Sequence, residues 1–309
     1  MNKIMPKHKL LGVEWATLAY VLLTFLLMLV WADSIDGWQA MAWWRVGVVA
    51  YMVVAYCIYC RYPCKATFLL RAFPLIAALV QWYPDLYELC KQLPYQDHLF
   101  ARADQWLFGG QPSLRFSEAC PSRLFSELMC LGYYSYYYIM AAMVLAYCIC
   151  AFEEADRAMF IFLSSFFLFY VLFIFVPVAG PQYYFAAVDA GTPTFPAISF
   201  FAKDAPCLSL PAEGFFPRLV VSAQQMGERP QAAFPSSHVG MTIVTLLLAW
   251  RLRRKTLFIV LLPFALLLTF STVYIKAHYL VDVLGAIVLT PLIYWISARL
   301  WRYLTCTAA

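Results

Sequence analysis

The chain has 309 residues, of which 64% are hydrophobic and only 13% charged, and its mean hydropathy is +0.71. A water-soluble domain is typically about half apolar and about a quarter charged, so this composition calls for lipid as the solvent. The net charge of +5 lies in short Lys and Arg clusters between apolar runs, which speaks against a nucleic-acid partner.

The first apolar run, Trp15 to Ala32, follows Lys3, Lys7 and Lys9 and contains no charge. It nearly supplies the roughly 20 residues a span needs. No small-x-small cleavage site follows it, so it reads as a retained span rather than a signal peptide. Backbone groups in lipid must be satisfied internally, and the runs are continuous rather than alternating, so helices are expected throughout. Eight spans are expected at about 11–31, 40–60, 66–82, 130–152, 158–178, 236–251, 256–276 and 280–300. Arg71 and Pro74 interrupt the third, and the sixth is short unless it begins near Pro235. The fold class is thus all-α, a polytopic membrane helix bundle.

With eight spans, the dense basic clusters (Lys3 to Lys9, Arg61 with Lys65, Arg157, Arg251 to Lys255, Arg299 with Arg302) fall on one face. By the positive-inside rule that face is cytoplasmic and holds both termini. Residues 1–82 form the N-terminal membrane helices in this reading. Residues 83–129 form an extracytoplasmic loop with an interfacial helix within 113–127, and 130–303 a catalytic membrane domain. Trp82, Tyr83, Tyr183 and Tyr184 are expected at the interface, as anchors or as walls of a headgroup-level entrance. Cys57, Cys60 and Cys64 lack metal spacing with His and read as small apolar residues; Cys90, Cys120 and Cys207 are disulfide candidates on an oxidising outer side.

Two segments carry ionisable residues to the outer membrane edge, where such groups point to function. One is Phe234-Pro235-Ser236-Ser237-His238 at the start of the sixth span; the other runs from Ser271 through Lys276 and His278 to Asp282. His278 and Asp282 are one helical turn apart on one face. A carboxylate there can orient the imidazole, and His238 on the same side can exchange a proton with a leaving oxygen. Ser236 and Ser237 open a helix whose free N–H groups suit an oxyanion. Zinc binding by the two histidines and the aspartate, or serine hydrolysis, remain open from these residues alone.

Pro235-Ser236-Ser237-His238 and Ser271…His278-x-x-x-Asp282 resemble the second and third signature motifs of the type 2 phosphatidic acid phosphatase superfamily. Asp104-x-x-Leu107-Phe108-Gly109, the Tyr133 to Tyr138 run and Val176 to Tyr184 resemble its inositol phosphorylceramide synthase-like branch. The resemblance spans roughly residues 100–290. It implies a six-helix phosphatase-like core, His278 as nucleophile, Asp282 as its orienter, His238 as acid/base, and no metal or other cofactor. Most phosphatases of the superfamily have Arg where this chain has Thr272, and their first motif has no clean match; Gln182 stands in that region. Arg229 and Lys276 are then the charged candidates for substrate binding, together with Gln182, Ser236 and Ser237.

The function expected is a lipid phosphatase or phosphotransferase acting through a phosphohistidine. In the transferase form it passes phosphoinositol or another phospho-headgroup to a sphingolipid acceptor, with inositol or ceramide as co-substrate. The alternatives are a simple phosphatase acting on phosphatidate, a polyprenyl pyrophosphate or a lipid-A-type substrate, and a non-enzymatic transporter or scaffold. The active site is expected on the periplasmic face of a bacterial inner membrane.

Overall fold

The computed structural model describes residues 9–188, 194–210 and 213–306. Lys3 and Lys7 of the N-terminal basic cluster lie outside them. The described residues form an all-helical bundle without strands. In chain order the α-helices are α1 (Gly12–Val30), α2 (Trp38–Arg61), α3 (Lys65–Ala77), α4 (Leu79–Cys90), α5 (Asp97–Phe108), α6 (Pro112–Ala119) and α7 (Arg123–Cys150). They continue as α8 (Ala155–Phe175), α9 (Pro181–Ala187), α10 (Phe215–Gly227), α11 (Ser237–Arg251), α12 (Lys255–Tyr274) and α13 (Leu280–Cys306).

Among the described residues, seven helical stretches are long and apolar enough to cross a membrane: α1, α2, α3 with α4, α7, the stretch ending in α8, α12 and α13. The expected sixth span is α11, a 15-residue helix that starts at Ser237 and is shorter than the others. The expected third span is longer than its apolar run, because α3 and α4 follow one another with a break at Ala78. Pro74 lies one turn before that break, where the missing N–H and the ring disturb the helix.

Arg71 does not weaken this span, because it is not exposed to lipid. It is 1% exposed, and its Nε and NH2 atoms donate to Glu14 of α1 at 2.7 and 2.5 Å. Arg45 of α2 likewise donates to Asp85 of α4 at 3.0 Å. Such bidentate or shielded pairs let charges persist between spans while binding one helix to the next.

α8 is the most enclosed span, with α1, α4, α11 and α13 packed around it. Lipid tails are as apolar as leucine, so this assembly rests on close packing rather than on expulsion of water. Gly132 of α7 shows the principle: a Cβ there would strike Ser271 Oγ and Leu267 of α12.

The shorter helices between spans pack on them: α5 meets α13 and α9, α6 meets α12, and α10 meets α7 and α4. The expected loop of 83–129 is therefore mostly helical: it holds the end of α4, all of α5 and α6, and the start of α7. Of the four aromatic residues expected at the interface, Trp82, Tyr183 and Tyr184 are buried in the protein and Tyr83 is half-buried. Lipid anchoring does not describe Trp82, Tyr183 and Tyr184, whose side chains are enclosed by the protein. Cys90, Cys120 and Cys207 are free thiols, and Cys90 donates to the Phe173 carbonyl at 3.2 Å inside the core.

Candidate active site

The start of α11 and the α12–α13 junction meet. The Ser236 N–H donates to the Asp282 carbonyl at 3.2 Å, joining the two sequence motifs through backbone alone. The Ser236 hydroxyl caps α11 by accepting the Val239 N–H at 3.4 Å. Ser236 is thus a structural cap, while Ser237 is buried beside it.

His278 lies between the two spans, 3% exposed. Its Nδ1 is 2.8 Å from the Ala233 carbonyl oxygen and 3.6 Å from Asp282 Oδ2. A carbonyl can only accept, so Nδ1 carries the proton and the neutral ring keeps its lone pair on Nε2. Burial holds the His278 pKa down at about 4, so the ring is neutral near pH 7. Nε2 faces His238 Nδ1 at 3.4 Å, close enough for one atom of a substrate to be contacted by both.

Asp282 differs in one respect from its expected role. Its Oδ2 accepts the Tyr279 N–H at 2.8 Å, and its Oδ1 is buried without a hydrogen-bond partner. The carbonyl of Ala233 therefore makes the direct bond to the imidazole, and Asp282 places a buried carboxyl group next to it.

The His238 ring is held by aromatic packing. Tyr133 stacks on it with centroids 4.7 Å apart, and Tyr136 approaches to 4.6 Å. Both tyrosines come from α7, in the tyrosine run that the sequence reading noted without assigning it a task.

Two acids of α5 fix the backbone around His278. Asp97 accepts the N–H groups of Ala179 and Gly180 at 2.9 and 2.8 Å and the Tyr279 hydroxyl at 3.1 Å. Asp104 accepts the N–H groups of Leu280 and Val281 at 3.0 and 2.9 Å, capping α13. Burial pushes both carboxyls up to about 6, against the pull of these N–H donors. Gly180 has φ +99°, and a Cβ there would lie 2.7 Å from the Ala277 carbonyl oxygen; only glycine fits that approach.

The remaining candidates do not converge on the histidines as a clamp of cations. Arg229 donates NH1 to the Glu228 carbonyl at 2.8 Å, and its Nε is buried without a partner. The Lys276 ammonium reaches the Ser209 carbonyl at 3.4 Å, and partial burial lowers its pKa. Gln182 donates its amide to Glu228 at 2.8 Å, so a substrate would have to compete for it. Thr272 is buried with its hydroxyl on the Thr269 carbonyl, and its own carbonyl accepts the His278 N–H at 3.1 Å.

Residues 98–296, covering α5 through most of α13, match the family model of the PAP2 superfamily. The chain belongs to the PAP2 superfamily. PAP2 members are generally phosphatases, and membership supports a phosphatase-type function on lipids for this integral membrane protein. No curated protein and no solved structure matches the chain.

Sequence reasoning missed Asp97, one residue before the matched region, and Glu228 within it. Asp97 had a readable signal: it precedes Asp104 by seven residues, placing both acids on one face of α5. Glu228 had none, because nothing near it in the chain distinguishes it from a solvated surface charge.

Proposed function

We propose that the chain is a lipid phosphotransferase that cleaves a phosphoester through a phosphohistidine on His278. The supporting observation is the pinned imidazole: Nδ1 donates to Ala233, and Nε2 faces His238 at 3.4 Å. In the first step the Nε2 lone pair attacks phosphorus, the P–N bond forms and the bond to the lipid oxygen breaks. His238, in its protonated form, gives that oxygen its proton. In the second step an acceptor hydroxyl attacks, His238 takes its proton, and the P–N electrons return to Nε2. Asp282, beside Nδ1, offsets the positive charge the ring carries while phosphorylated.

The acceptor in this reading is an alcohol, with a phospho-headgroup such as phosphoinositol passing to a ceramide-type lipid, as in the inositol phosphorylceramide synthase-like branch. Neutral Thr272, in place of the Arg most phosphatases of the superfamily carry, favours it over the release of free phosphate. Water as acceptor is the second reading, favoured by PAP2 membership itself. The reaction needs no metal in either form. The site lies at the end of α11 opposite Arg251 and its basic cluster, which supports an extracytoplasmic active face, periplasmic in a bacterium.

The test is incubation of the purified protein with lipid phosphates and phosphodiester lipids, with and without inositol and ceramide. A new phosphodiester lipid that needs an acceptor supports transfer; free phosphate independent of acceptor supports hydrolysis. Turnover unchanged by His278→Ala would remove the basis of both.

A further inference from the structure

Glu228 is a carboxylate to which the site described above gives no task. Glu228 follows α10, and its side chain accepts the Gln182 amide at 2.8 Å, with the Gln224 amide 3.4 Å from Gln182 Oε1. No Lys, Arg or His forms an ion pair with it among the described residues; the adjacent Arg229 bonds its backbone carbonyl instead. The carboxyl lies within electrostatic reach of four tyrosine hydroxyls, those of Tyr83 in α4, Tyr133 and Tyr137 in α7, and Tyr183 in α9. Tyr133 is the ring stacked on His238, so the carboxylate and the reaction centre share a wall.

A partly buried carboxylate without an ion-pair partner is costly, and tyrosine rings attract cations as well as lining apolar pockets. A phosphomonoester dianion brought to His278 would be repelled by Glu228, and a neutral polyol would leave its charge uncompensated. A headgroup that ends in an ammonium meets both features, since its phosphate can reach the histidines while its amine pairs with the acid.

We propose that Glu228, with Tyr83, Tyr133, Tyr137 and Tyr183, forms a headgroup subsite for a phosphodiester lipid ending in a cationic amine. The assignment rests on the reading of His238 and His278 as the phosphoester site, and it replaces the phosphoinositol example given there with a donor lipid of the amine-headgroup class.

The experiment is equilibrium displacement of radiolabelled phosphatidylethanolamine from the full chain in nanodiscs, carried out on the His278→Ala variant so that no lipid is consumed. Phosphatidylethanolamine and phosphatidylcholine are expected to displace the probe at least about tenfold better than phosphatidylinositol or phosphatidate. Adding Glu228→Gln should bring the classes within about twofold of one another, and Glu228→Asp should restore part of the gap. The ranking is repeated on the otherwise unmodified chain, so that a folding defect in a variant cannot hide it. Equal displacement by phosphatidylinositol or phosphatidate, or a preference untouched by Glu228→Gln, would overturn the subsite. Soluble phosphoethanolamine competing as well as the lipids would overturn the assignment to a lipid. Because binding is read without turnover, a catalytically silent protein would sink the phosphotransferase reading while the displacement ranking still decides the subsite.

Discussion

His278 bonds the carbonyl of Ala233 through Nδ1 at 2.8 Å, while Asp282 stands off at 3.6 Å. In a histidine oriented only by a carboxylate, replacing that acid by its amide permits the wrong tautomer and costs about 10⁴-fold in kcat. Here a carbonyl that cannot donate fixes the tautomer, and Asp282→Asn changes only a carboxyl group that stands off from the ring. Its kcat should fall about 10- to 100-fold, against about 10⁴-fold or more for His278→Ala. Steady-state rates of the two variants check this; equal losses would mean that Ala233 does not hold the ring.

The positions of the three polar groups also bear on metals. Asp282 faces Nδ1 of His278, whereas His238 faces Nε2 on the other side of the same ring. One ion cannot reach both sides of an imidazole, so the three residues do not make a common ligand set. Turnover after dialysis against EDTA should stay within about twofold of the untreated protein. A loss that added zinc restores would return the zinc reading.

Asp104 acts at one remove from the chemistry. It holds the Leu280 and Val281 N–H groups, and the helix it caps begins two residues after His278 and carries Asp282. Asp104→Ala should cost about 1 kcal/mol of stability by loss of the cap. It should also lower kcat about tenfold or more at nearly constant KM, because small misplacements of a reacting group are expensive. Asp104→Asn, which keeps one acceptor oxygen, should recover part of kcat. Thermal unfolding with and without kcat recovery separates positioning from plain destabilisation; a variant equally stable and equally active would end the proposal for Asp104.

What the sequence made legible was local. The two histidine motifs are short runs, and their meeting needed only that both open on the same membrane face. The apolar runs placed the spans, and even Arg71 was visible as an anomaly, although its partner Glu14 lies 57 residues earlier in another helix. Asp97 was hidden for the same reason: it bonds Ala179 and Gly180, 82 and 83 residues further on. Glu228 is defined by tyrosines from three different helices, and no spacing along the chain encodes such a neighbourhood. α5 was read as loop because it is short and mixed in polarity, so no long apolar run marks it.

The pH dependence separates Glu228 from His278. Burial pushes the Glu228 carboxyl up to about 7, so it is neutral below that pH and charged above it. The groups facing it are Gln182, Gln224, Tyr83, Tyr133, Tyr137, Tyr183 and Cys207, with the Arg229 guanidinium next to Tyr183 and bonded to the Glu228 carbonyl. Affinity for phosphatidylcholine, whose ammonium does not titrate, should therefore rise as pH climbs through about 7 and level off above it. His278, held down at about 4, is already neutral across that window and adds no limb to it. Glu228→Gln should flatten the rise while leaving any loss of kcat near pH 4 in place, since that limb belongs to the nucleophile. Displacement binding between pH 5.5 and 8.5 measures the first effect and rate profiles down to pH 4 the second. A rise that survives Glu228→Gln would mean that another group, and not this carboxylate, reads the headgroup.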